Sequence, residues 1–261
     1  MNGIFTAGDG VLLRVSRPTA PASQAIELGR TLARLGLRVP TYLRDEPYLG
    51  EDDHAVFAIA AIVESGSIDW AAVGEMVGRL HRVDRSVLPP AYPTPFCGDF
   101  PWWQFAALMS DVGDQLDGES RAALNAAIER SLPLLDDQRG RAPIVCHGDV
   151  HPGNVVQSSQ GPVLLDWDLL CCGPPAWDHA PLMTWSQRWG GEPGIYESFA
   201  EGIGQSLRDD PLAEAIAELR LVAATLMRVR AAQSNPAAVD EAESRLRYWR
   251  GDPDEPQWHA Q

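Results

Sequence analysis

The sequence contains no lysine; all 21 of its basic residues are arginine. A Schiff-base mechanism needs a lysine amine and a P-loop needs a lysine beside its phosphates, so both are excluded. Long apolar runs are also missing. None approaches the roughly 18–20 residues that cross a bilayer as a helix, and no membrane association is expected. The opening residues MNGIFTAGDG lack the basic and then apolar regions of a secretion signal. Cysteine is scarce, four residues without regular spacing, which suits reduced thiols in a cytoplasm better than a disulfide framework. The adjacent Cys171 and Cys172 read as small packing residues. Positive charge is in deficit, with 36 acidic residues against 21 basic ones and a net charge of −15. Such a surface repels a phosphate backbone, so no nucleic-acid partner is expected, whereas a cationic small molecule suits it.

What is present describes a globular chain of 261 residues, 45% hydrophobic and 22% charged, long enough for one large domain or two unequal lobes. VLLRV at 11–15, RVPTYLR at 38–44 and AVFAIAAIV at 55–63 read as strands, with a helix over 21–36 between the first two. A helix capped by Asp69 is expected to end near Arg82, and Pro and Gly mark a loop from Leu88 to Gly98. Helical patterns come next at 100–116 and 119–135, then a strand pair (APIVCHG and GPVLLDWDLL), then helices near 195–207, 211–232 and 237–250. A strand-rich portion, residues 1–64, thus precedes a mostly helical portion, residues 65–261.

The stretch CHGDVHPGNVV, Cys146 to Val156, is too polar for a core segment. His147 and His151 stand four apart, the spacing of two metal ligands on one helical face. Gly148, Pro152 and Gly153 break such a helix, and no cysteine or acid completes a zinc-like set. An ordinary turn around a buried histidine is the plain alternative. The order of the polar residues argues for chemistry: Asn154 lies five residues after Asp149, and Asp166 twelve after Asn154, across an expected hairpin. Phosphoryl transfer needs a carboxylate to accept a hydroxyl proton and oxygen ligands to hold magnesium on the phosphates.

HGDVHPGN resembles the catalytic loop of the aminoglycoside phosphotransferase and choline kinase superfamily, LLDWD resembles its metal-binding segment, and GPPAWDHAPL the segment after it. The resemblance implies an α+β, two-lobed, protein-kinase-like fold, with a small, shortened antiparallel β lobe and a larger helical one. It implies ATP as donor, with GTP not excluded, Mg2+, and a small-molecule hydroxyl acceptor such as an aminoglycoside or amino sugar. A choline- or ethanolamine-type kinase, or a catalytically weakened nucleotide-binding regulatory protein, is the alternative. Carried onto this chain, Asp149 becomes the catalytic base, Asn154 and Asp166 the metal ligands, and Asp168 a substrate or metal contact. His147 and Asp178 become supports of the loop.

On the nucleotide side the resemblance places Arg14 on the phosphates with Glu27 as its ion-pair partner, and Ile59, Ala60, Ala61 and Ile62 at the hinge that holds the base. Only 13 residues precede Arg14, and they contain no Gly-x-Gly-x-x-Gly. They suit a single hairpin turning at Gly8-Asp9-Gly10, with Asn2 and Gly3 as a remnant of a phosphate-covering loop. Trp102, Trp103, Trp167, Trp185 and Trp189 are candidates for the acceptor's wall, through cation–π contacts to a choline-like group. The sequence is silent on oligomeric state.

Overall fold

The computed structural model describes residues 3–8, 10–50, 53–141, 143–252 and 257–259. Along the chain lie β1 (Gly3–Thr6), β2 (Val11–Ser16), α1 (Ala22–Arg34), β3 (Tyr48–Leu49), β4 (Ala55–Ala60) and α2 (Trp70–Leu80). Next come α3 (Phe105–Val112), α4 (Gly118–Asp136), β5 (Ile144–Cys146), β6 (Val155–Ser158), β7 (Gly161–Leu164) and β8 (Cys171–Gly173). The chain finishes with α5 (Ala176–Met183), α6 (Trp185–Arg188), α7 (Ile195–Ile203), α8 (Pro211–Ala232) and α9 (Val239–Trp249). These residues form two compact units, 1–94 with 144–172 and 198–205, and 95–143 with 173–197 and 206–261. No helix among the described residues is long and apolar enough to cross a membrane.

In the first unit β1, β2, β4 and β3 form one antiparallel sheet in that order. Burial along β4 alternates strictly, so Ala55, Phe57 and Ile59 face inward, as period two demands. Helix α1 lays Ala22 and Ile26 on that face, with Leu12 and Tyr42 packed alongside. Arg14 stands opposite Phe57 in the register. The expected β1–β2 hairpin forms, and Val11 N–H donates to Gly8 O at 2.9 Å across its turn. The turn's Asp9, like Asn2 of the supposed phosphate-loop remnant, lies outside the described residues.

Two further pieces complete this unit. Strands β6 and β7 make a tight antiparallel hairpin, Val155 opposite Leu164, while β5 pairs with β8. The segment after β4 is tied to the hairpin: Ser65 N–H donates to Gln157 O at 2.8 Å, and Asp69 N–H to Gln157 Oε1 at 3.0 Å. Helix α2 starts as the sequence predicts, with the Asp69 carboxylate accepting from Ala72 N–H. Gly74 and Gly202 bring α2 and α7 backbone to backbone. A Cβ on Gly202 would lie 1.8 Å from Ala71 O, and one on Gly74 2.1 Å from Phe199 O.

The second unit is helical. Helix α8 runs along α4, α5 and α9 and buries Ile216, Leu219, Val222 and Leu226. Arg130 of α4 pairs with Glu218 of α8, and Ser131 Oγ donates to the same carboxylate at 2.5 Å. Arg245, 4% exposed, pairs with Glu241 at 2.8 Å and lies over the rings of Trp189 and Trp258.

Several expected elements differ, among them AVFAIAAIV, whose strand stops at Ala60 rather than Val63. RVPTYLR is not a strand; only Tyr42 bridges to Ile59, because Pro40 has no N–H to give a ladder. The helix expected over 100–116 is confined to α3, since Pro101 can only open a short 3-10 turn before it. The run GPVLLDWDLL leaves the sheet at Leu164 and folds into a 3-10 turn at Trp167–Leu169. The Gly202 contact yields a test. Gly202→Ala should destabilise by about 1–3 kcal/mol, the range for overpacking, and lower the melting temperature by roughly 2–12 °C. Gly118→Ala, where an added Cβ meets nothing within 4 Å, should not lower it; circular dichroism melting of both variants checks this.

Candidate functional site

The hairpin explains the twelve-residue spacing between Asn154 and Asp166. Asn154 precedes β6 and Asp166 follows β7, and Leu165 N–H donates to Asn154 O at 2.8 Å, so both sit at the hairpin's open end. Asp166 adopts a left-handed backbone, φ 51°. That conformation is rare outside glycine and tolerated by aspartate, and it turns the chain sharply out of the strand.

His147 joins this end to the loop before it. Its ring is fully buried and edge-on to Trp167, centroids 4.6 Å apart. Nδ1 accepts from Asp149 N–H at 3.2 Å, which leaves the proton on Nε2 to donate to Leu165 O at 2.8 Å. Trp167 is held in turn: its Nε1–H donates to Leu164 O, and Tyr92 Oη donates to Trp167 O, both at 2.9 Å. Gly148 bends between His147 and Asp149 with φ 96°, and a Cβ there would stand 2.1 Å from Leu169 O. Only glycine fits so close a crossing.

Asp149 receives two neighbours from its own loop. Asn154 Nδ2 donates to Asp149 O at 2.9 Å and to Asp149 Oδ2 at 3.2 Å. His151 Nε2 lies 3.3 Å from the same Oδ2. The sequence signal of this contact is the position of His151 two residues after Asp149.

The amide hydrogens of Asn154 are thus spent on Asp149, so its oxygen is the atom left for a cation. With Asp166 and Asp168 that makes an all-oxygen set, which fits a hard cation such as Mg2+ and not a thiolate-preferring metal. A cationic group already stands among these carboxylates. Arg14 Nη2 is 3.1 Å from Asp166 Oδ1 and bonds more closely still to Asp168 Oδ2. Arg14 and Asp168 are mostly buried, 13% and 18% exposed. Burial works against the Arg14 charge, yet Asp168 and Asp166 outweigh it and raise the guanidinium pKa. Burial pushes the Asp168 carboxyl above the usual carboxylate range; Arg14 pulls it back and Asp166 pushes it further up. Thr19 Oγ1 donates to Asp168 O at 2.8 Å and fixes that residue's backbone.

The expected Arg14–Glu27 pair does not form. Helix α1 buries Ile26, Leu28 and Leu32, which leaves Glu27 on its exposed side, and no ion pair joins it to Arg14 among the described residues. The expected hinge is partly spent as well. Ile59 bridges to Tyr42, Ala60 N–H donates to Thr41 O at 2.9 Å, and Ala61 N–H donates to Gly10 O at 2.8 Å. Of the four, Ala61 and Ile62 lie beyond the end of β4. Asp178 is fully buried in α5, in the other unit. Trp103 and Trp167 are core residues, whereas Trp102, Trp185 and Trp189 are half-buried. The helical unit also holds a cavity of about 480 Å³ between α4, α6, α8 and α9, lined by Arg130, Arg188, Glu214, Glu218 and Tyr248. None of the residues singled out in the sequence lines it.

Solved structures resemble this chain over nearly its whole length. The AMP-bound spectinomycin phosphotransferase superposes with a TM-score of 0.68 at 14% identity, covering 94% of this chain and 88% of that one. A choline/ethanolamine kinase family protein of Mesorhizobium loti gives 0.66 at 18% identity, covering 98% and 86%. The GDP complex of an aminoglycoside 2'-phosphotransferase gives 0.68 at 15% identity, covering 96% and 89%. The fold is the α+β, two-lobed, protein-kinase-like one of these enzymes. A probable ketoamine kinase of Thermus thermophilus is 31% identical over 151 residues, which are 52% of this chain and 51% of that protein. The match therefore spans about half the length of that curated relative. A family model described as phosphotransferase enzyme family matches residues 5–219. With Asp149, Asn154 and Asp166 inside that span, the chain belongs to the phosphotransferase enzyme family.

Proposed function

We propose that the enzyme moves the γ-phosphoryl group of ATP, as its magnesium complex, to a hydroxyl of a small cationic acceptor, an aminoglycoside, amino sugar or ketoamine. The observation that carries this reading is the gathering of Asp149, Asn154, Asp166 and Arg14 within one unit. A carboxylate, an all-oxygen ligand set and a fixed cation are the three parts phosphoryl transfer requires. The strand-rich residues 1–64 would serve the nucleotide and residues 65–261 the catalytic loop and acceptor. The net charge of −15 and the named activity of the Thermus relative favour an acceptor that pairs an amine with sugar hydroxyls. GTP stands as an alternative donor, because GDP occupies one of the similar structures.

In this reading Asp149 orients the acceptor hydroxyl and takes its proton as the new P–O bond forms. Asn154 Oδ1 and Asp166 would hold Mg2+, which when bound offsets charge on the phosphate oxygens. Arg14 contributes a charge that no physiological pH removes. Because the acceptor is bound beside its base, most of the acceleration comes from positioning and from charges already in place. A choline-type acceptor is the second reading; it rests on the Mesorhizobium structure, and the burial of Trp103 and Trp167 withholds two of the aromatic faces it would use.

ADP release measured with Mg-ATP and fructosyl-lysine, kanamycin, glucosamine or choline tests the reading. Acceptor-dependent release is expected, and Asp149→Asn should lower it by about 10²–10⁴, the range of a positioned acid–base group. Release that needs no acceptor in any of these assays, or is untouched in Asp149→Asn, would sink it. A second measurement addresses the metal set. Arg14 holds the carboxylates that a cation would use, so Arg14→Met should bind Mn2+ more tightly in the absence of nucleotide while binding Mg-ADP about tenfold more weakly. Paramagnetic resonance of free Mn2+ reads the first change and titration calorimetry the second.

A further inference from the structure

His151 is not explained by the metal set, the nucleotide or the fold core. Its ring is cradled by its own loop. Nδ1 accepts from Gly153 N–H at 3.0 Å, which places the ring proton on Nε2. A Cβ at Gly153 would stand 2.8 Å from His151 Cε1, so glycine at 153 is what lets the ring lie there. His151 itself is extended, φ −155° and ψ 166°, ahead of the 3-10 turn at Pro152–Asn154. The result is that Nε2 lies 3.3 Å from Asp149 Oδ2, the same oxygen that Asn154 Nδ2 reaches at 3.2 Å.

Two nitrogens from opposite ends of one turn therefore approach a single carboxylate oxygen. A carboxylate on a surface loop rotates freely about its terminal torsion. One held through Oδ2 has its plane fixed, and with it the direction in which its other oxygen meets a hydroxyl. Asn154 can supply only part of this restraint, because its amide also bonds Asp149 O. The imidazole adds the second point that defines the plane.

From this geometry we infer that His151 is a positioning residue for Asp149, holding the carboxylate plane that takes the acceptor's proton. It makes no contact with the reacting atoms itself. The inference rests on Asp149 serving as the base. A competing explanation is that His151 only caps the turn through Nδ1 and Gly153 N–H. The two roles belong to different ring nitrogens, so two substitutions separate them. Asparagine places an acceptor where Nδ1 was but has no group that reaches Asp149. Glutamine places an N–H near the Nε2 position and forfeits the cap.

The experiment compares His151→Asn, His151→Gln and His151→Ala by initial rates with Mg-ATP. The acceptor is whichever of fructosyl-lysine, kanamycin, glucosamine, choline or water is turned over fastest. Thermal melting confirms that each variant is folded. His151→Ala and His151→Asn should lose about tenfold to a hundredfold in kcat, the worth of one hydrogen bond to a charged group, with the KM for ATP little changed. His151→Gln should recover most of that loss. Retention of kcat by His151→Asn, an equal loss in Asn and Gln, or a loss expressed in KM alone overturns the inference. If Asp149→Asn also keeps its rate, the assignment of the base has failed rather than the role of His151; a crippled Asp149→Asn beside an active His151→Asn condemns only the latter.

Discussion

One buried imidazole holds the site together. His147 spends both ring nitrogens inside the protein, one on the amide of Asp149 and the other on the carbonyl before Asp166. Both halves of the constellation, the loop after β5 and the turn after β7, hang from that ring. Removing it would take a partner from a half-buried N–H and a half-buried C=O. Trp167 closes over the ring and is itself pinned by Leu164 and Tyr92. Both of these bonds end on backbone atoms, so variation in the surrounding side chains leaves them intact.

Much of this arrangement was legible in the sequence. The Asp149, Asn154 and Asp166 spacings carried the strand-end geometry, because a hairpin of fixed register returns its two ends to the same place. Helices α1, α2, α4 and α8 were legible too, through apolar periodicity and, for α2, through its cap: Asp69 accepts from the first turn it precedes. What could not be read depended on contacts between distant segments. The short β8 pairs with β5 although its three residues carry no strand signal of their own. RVPTYLR has the composition of a strand, but Pro40 interrupts it and only Tyr42 finds a partner.

The partner of Arg14 shows the same limit. The family resemblance offers Glu27 on the next helix, yet helical periodicity turns position 27 outward between the buried Ile26 and Leu28. Asp168 takes the role instead, from 154 residues away in the chain. The substitution moves the anchoring acid from a helix, which can rotate or slide, to the turn that carries Asp166. Arg14 and the carboxylates of Asp166 and Asp168 are thereby mechanically one piece.

The absence of lysine has a chemical consequence at this spot. Reagents that mark a phosphate-binding cation by acylating an amine find no amine at position 14 to acylate. A guanidinium yields instead to dicarbonyl compounds, and one clasped between two carboxylates and largely withdrawn from water reacts slowly. Occupancy of the carboxylates by another cation would loosen that clasp. The rate at which phenylglyoxal modifies Arg14 is thus a built-in gauge of whether its acidic partners are engaged elsewhere.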